Sequence, residues 1–101
     1  MNITLQPRTE IKLQRILAYY QTPEKFIEEI IFSQIQELKR AIFNLQHELA
    51  LFEQKYKMLS IDFYQEYQQG ILDDQEDFML WAGSYELFLD NQQRLAELQN
   101  D

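Results

Sequence analysis

Four carboxylates fall close together at Asp73, Asp74, Glu76 and Asp77. Clustered carboxylates are hard oxygen donors for Ca²⁺ or Mg²⁺, but this run lacks the ligand spacing and central glycine of an EF-hand loop. Helix capping and a solvated charge run account for it better, and no metal is expected. His47 is the only histidine. It lies in a helical pattern outside the apolar set, with no serine or cysteine partner evident, so it reads as a surface residue and not a general base. Glu28 and Glu29 are adjacent and do not share a helix face. There is no phosphate-cradling loop and no dinucleotide glycine fingerprint. Cysteine is absent, which excludes disulfides, thiolate zinc sites and a cysteine nucleophile. No catalytic residue and no cofactor are expected, and an enzyme is disfavoured.

The elements that must position any other chemistry are helical. The chain has 101 residues, enough for one domain with a real core. Glycine and proline occur only twice each, which argues against a many-turned all-β fold. No apolar run reaches the roughly 20 residues of a membrane-spanning helix, and no signal-peptide pattern opens the sequence, so a cytoplasmic location is expected. The charge is uneven. Residues 1–50 hold six basic and six acidic side chains, whereas residues 51–101 hold three and eleven, so the whole net charge of −8 lies in the second half. Nine of the 14 aromatics also lie there, which argues against a plain disordered tail.

The first residues alternate: Ile3 and Leu5 point one way, Asn2, Thr4 and Gln6 the other. That is a strand signal, ended by Pro7. Leu13, Ile16, Leu17 and Tyr20 then fall at helical spacing. Thr22-Pro23-Glu24 forms a helix start with its cap, its N1 proline and an acid in the first turn. From there Ile31, Ile35, Leu38, Ile42, Leu45, Leu49, Phe52 and Tyr56 keep an unbroken a/d register, predicting one helix from Pro23 to about Lys57. Its seam needs a partner helix, from a second copy or from later in the chain. Ser60 is expected to cap a short helix bearing Phe63, Tyr64 and Tyr67, stopped at Gly70. Asp73 or Asp74 is expected to cap a last helix over about Gln75–Leu98, with Phe78, Trp81, Ala82, Tyr85, Phe88, Leu89 and Leu95 on its apolar face. Gly83 inside it predicts close packing or a bend.

Residues 1–36 resemble the ribbon-helix-helix DNA-binding family of Arc, MetJ and ParD-like antitoxins. The likeness rests on Asn2-Ile3-Thr4-Leu5-Gln6-Pro7, on the first-helix set ending at Tyr20, on Thr22 as cap, and on Phe26, Ile27, Ile30 and Ile31 at second-helix core spacing. Tyr20-Gln21 stands where the family usually has a glycine turn. The resemblance implies an obligatory homodimer whose paired strands enter the major groove. Asn2, Thr4 and Gln6 would then read bases. Thr22, at the amides that open the second helix, would grip a phosphate, and Arg8, Lys12 and Lys25 would add phosphate contacts. A ribbon that only dimerises, or a disordered lead-in, are the alternatives.

The second half, from Tyr56-Lys57-Met58 through Phe63-Tyr64, Gly70, Asp73-Asp74, Asp77-Phe78, Trp81, Gly83 and Tyr85, looks similar to small prokaryotic proteins presumed to be antitoxins. Phe63, Tyr64, Tyr67, Phe78, Trp81, Tyr85 and Phe88 are candidate contacts for a basic toxin, by anchor residue type and charge complementarity. Packing of the same aromatics on the long-helix seam is the competing reading. The expected architecture is mainly α, with an N-terminal β-ribbon strand, two helices continuing into a long heptad helix, and a C-terminal helical hairpin. Residues 1–36 form the expected DNA-binding and dimerisation region, and 37–101 an acidic partner-binding region. The expected function is a type II antitoxin that binds operator DNA and neutralises a cognate toxin. A ribbon-helix-helix repressor without a toxin, and a helical interaction or oligomerisation module without DNA binding, are the alternatives.

Overall fold

The computed structural model describes residues 2–100. Four helices follow one another: α1 (Pro7–Leu17), α2 (Pro23–Tyr56), α3 (Ser60–Gln68) and α4 (Glu76–Gln99). The chain divides into two compact units, Met1–Gln34 and Ile35–Asp101, and α2 runs through the division.

The expected N-terminal β-ribbon strand is not formed. No strand occurs among the described residues, and residues 2–6 carry no regular structure. Alternation decides which way side chains point, but a strand is held by a hydrogen-bonded ladder, and no described residue forms one with Asn2–Gln6. Pro7 occupies the first turn of α1, and the Gln6 carbonyl accepts the Glu10 amide at 2.9 Å, so helix begins where the alternation ends. Leu5 turns half-buried toward Leu13 and Leu17 of α1, while Ile3 stays exposed. No residue of α1 is buried. The helix stops at Leu17, short of Tyr20, whose hydroxyl donates instead to Glu29 at 2.6 Å and whose ring packs on Phe26.

The caps divide between expectation and correction. Thr22 does cap α2: its Oγ1 accepts the Lys25 amide at 3.2 Å. Tyr56 ends α2, because Lys57 adopts a left-handed φ of +57° and the Met58 amide returns to the Glu53 carbonyl at 3.2 Å. Gly70, at φ +74°, closes α3 the same way, with the Ile71 amide on the Glu66 carbonyl. Ser60 is not a cap. It is the first residue of α3, its amide donates to the Glu53 carboxylate at 2.7 Å, and Leu59 holds the cap position. The Glu53 anion does the capping, as suits the positive end of a helix dipole. Neither Asp73 nor Asp74 caps α4. Gln75 does so without a side-chain bond.

Within Ile35–Asp101 the α2 seam finds its partner in the same chain. Phe52 meets Trp81, Lys55 meets Asp77, and Glu48 meets Ser84, so α2 and α4 run antiparallel. Ile42, Leu45 and Leu49 are buried along this stretch. The core is Leu49, Phe63, Trp81 and Ala82, ringed by Phe52, Tyr56, Met58, Tyr64, Tyr67, Leu72, Phe78, Tyr85 and Phe88. Phe63 and Trp81 have no accessible surface, and their rings stack nearly parallel with centroids 3.8 Å apart. Phe52 and Tyr56 stack on Trp81 at 5.6 and 5.7 Å. The indole N–H, which burial in an apolar cluster would otherwise orphan, donates to Ser60 Oγ at 2.9 Å.

Candidate interaction surface

All the aromatics expected to touch a partner belong to this core cluster. Phe63 and Trp81 are enclosed and offer nothing to a partner. Tyr64, Tyr67, Phe78, Tyr85 and Phe88 are half-buried around them. The Tyr64 hydroxyl is tied down. Tyr64 donates to Glu86 at 2.7 Å and accepts from Gln68 at 2.9 Å, and the bond to Glu86 raises its phenol above the ordinary range.

Within the acidic cluster Asp73 accepts one bond from Gln75 at 3.2 Å, and Asp77 is paired more fully. Its Oδ2 accepts from Lys55 Nζ at 2.7 Å and from the Tyr56 hydroxyl. Lys55 first, then Tyr56, holds the Asp77 carboxyl below the usual carboxylate range. The same bonds raise the Lys55 ammonium and the Tyr56 phenol. Asp73, Asp74 and Glu76 are exposed, and no metal-binding group of side chains occurs among the described residues.

His47 lies exposed on α2 in a groove with Phe43, Asn44, Glu48, Leu87 and Asn91. A second hollow, lined by Glu48, Leu51, Phe52, Lys55 and Asp77, continues the same flank of the α2–α4 pair. On the opposite flank, α3 packs against α4, and Gln46, Glu53, Leu59, Ile61, Tyr85 and Phe88 line a smaller hollow beside it. Sequence reasoning missed the first flank. Leu80, Ser84, Leu87 and Asn91 repeat at separations of 4, 3 and 4, a second register on α4 beside the one that fills the core.

In Met1–Gln34 the expected DNA-contacting residues Asn2, Thr4, Gln6, Arg8, Lys12, Thr22 and Lys25 are all exposed. Arg8, Lys12 and Arg15 share one helical face of α1, and Leu13 and Leu17 lie half-buried on the other. Lys25 and Thr22 meet through the cap bond at the start of α2. Ile11, Ile16, Ile27, Ile30, Ile31 and Phe32 are exposed in the same unit. Among the described residues no helix is long and apolar enough to cross a membrane. Comparison with protein-family models, with curated proteins and with solved structures finds no match to this chain.

Proposed function

We propose that the protein is the antitoxin of a toxin–antitoxin pair, holding a basic toxin on its acidic C-terminal unit. The observation that carries this reading is the division of charge. Ile35–Asp101 contains thirteen acidic and five basic residues, a net −8, while Met1–Gln34 contains four of each. The acidic unit has its own aromatic core, so its carboxylates and exposed leucines sit on a fixed frame. Fixed opposite charge speeds capture of a cationic protein and fixes its register.

The cationic face of α1 favours a second activity, contact with operator DNA. Arg8, Lys12 and Arg15 on one face, with the Thr22-capped start of α2, suit phosphates, and the exposed isoleucines suit pairing with a second copy. Base reading by a paired ribbon is not part of this proposal, because Asn2–Gln6 forms no strand.

Growth rescue tests the main reading. The open reading frame beside the gene, if it encodes a small basic protein, is induced with and without this chain. Rescue of growth, with a complex that co-elutes and dissociates as salt rises, is the expected result. Toxicity unrelieved by co-expression, with no complex at low salt, contradicts it and leaves a helical interaction module of another kind.

A further inference from the structure

The flank of the α2–α4 pair opposite α3 is an open groove made of two adjoining hollows that share Glu48. Phe43 and Leu51 on α2 and Leu87 on α4 line it and stand 70%, 56% and 51% exposed, and Leu80, three residues after Asp77 on α4, is 56% exposed. The groove runs from Asp77 and Lys55 at one end to Phe43 and Asn91 at the other. At 1.5 Å per residue that is about 20 Å of α4, roughly four turns.

Gly83 lies on α4 three residues after Leu80 and four before Leu87. A glycine inside a helix costs about 1 kcal/mol against alanine. Here a Cβ on Gly83 would meet nothing within 4 Å, so no neighbour in this chain requires it. It is exposed midway between Leu80 and Leu87. A missing side chain between two leucines lets another helix approach the backbone closely.

We propose that this groove is where the basic partner docks, by laying in a cationic amphipathic helix whose leucine-like stripe covers Leu51, Leu80, Gly83 and Leu87. The proposal rests on the reading of this unit as the holder of a basic protein. Charge selects the occupant. Glu48 and Asp77 line the groove beside Lys55, which is paired to Asp77; α4 and the loop before it add exposed Asp73, Asp74, Glu76 and Asp90, of which Asp90 is paired to Arg94. Lysine or arginine stems on the incoming helix would lie along the leucines and carry their cations to these carboxylates. A second copy of this chain would instead bring a unit of net −8 against another.

The probe is a fluorescein-labelled synthetic helix of about 18 residues, long enough to span the groove, with leucine at heptad spacing and lysine on its flanks. Its counterpart carries glutamate for lysine. Anisotropy titration at low salt should show the lysine peptide binding at least about tenfold tighter than the glutamate peptide. Gly83→Phe, and separately Leu80→Asp with Leu87→Asp, should weaken the lysine peptide at least about tenfold with unchanged circular dichroism, because all three positions are exposed. Ile61→Asp, on the α3 flank, should leave it unchanged.

No preference for lysine, or binding untouched by Gly83→Phe, overturns the proposal. So does a dimer in sedimentation velocity that the Leu80→Asp, Leu87→Asp variant abolishes, since the occupant would then be a second copy. The peptide assay needs no toxin. A groove that fails it falls while growth rescue stands, and a groove that passes it stands even where growth rescue fails.

Discussion

One helix, α2, serves two regions that treat the same apolar register in opposite ways. In its C-terminal part Ile42, Leu45 and Leu49 are buried, and Phe52 and Tyr56 stack on Trp81 from α4. In its N-terminal part Ile27, Ile30, Ile31 and Phe32 are 40–63% exposed. The difference lies in what the rest of the chain supplies. Residues 60–88 provide seven aromatics to fill the seam, whereas residues 2–22 provide an eleven-residue helix with no buried residue. A heptad stripe specifies that a partner is needed and is silent on where the partner comes from.

Three substitutions, two of them paired with a near-neutral control, and a titration sharpen that contrast, from the largest effect down. Trp81→Ala removes the side chain on which Phe52, Tyr56 and Phe63 all stack, and should cost about 3–5 kcal/mol in chemical denaturation. Ile31→Ala, an exposed member of the same register, should change stability by less than about 0.5 kcal/mol at dilution. Ser60→Ala leaves the Trp81 indole N–H buried without its acceptor and should cost about 1–3 kcal/mol. Ser84→Ala, whose 3.5 Å contact with Glu48 is long and exposed, is the control and should be within about 0.5 kcal/mol of the parent. Lys57→Gly relieves a left-handed backbone angle and should raise stability by about 1 kcal/mol, read as a higher Tm.

The smallest effect is the pH response of the Lys55–Asp77–Tyr56 group, which is exposed to solvent screening. Asp77 has its carboxyl lowered from 3.8. Its contribution is therefore present above that value and lost as pH falls through the lower folded one. Lys55 and Tyr56 are raised from 10.5 and 10.0, so theirs is present below those values and lost as pH rises through the folded ones. The stability difference between the parent and Asp77→Asn should be largest near neutrality and vanish at both extremes. A difference that persists in acid contradicts the assignment.

How much of this was legible follows from which signals are local. Thr22-Pro23 starts α2 and Gly70 ends α3 because capping depends on a few neighbouring residues, and sequence shows those. The strand at Asn2–Gln6 failed because its alternation is local but its ladder is not. Ser60 has the composition of a cap, yet Glu53 caps α3, and Ser60 instead accepts from Trp81, twenty-one positions away. Asp73 and Asp74 suited a cap by type, but the helix opens later, after Gln75. On the surface, Leu80, Leu87 and Gly83 were hidden behind the stronger register of Phe78, Trp81, Tyr85 and Phe88 on the same helix. The seven aromatics expected as contacts form the core and its rim, which is the packing that the sequence offered as the competing reading.

The most direct test of the two-region account is amide hydrogen exchange along α2, read residue by residue at two protein concentrations. Amides of 45–56 should exchange only through global unfolding, at a rate independent of concentration. Amides of 27–34 should exchange at least about tenfold faster at the lower concentration and slow down only if a second copy binds there. Equal protection of both segments at every concentration would contradict the account, because one continuous core would then hold the whole helix.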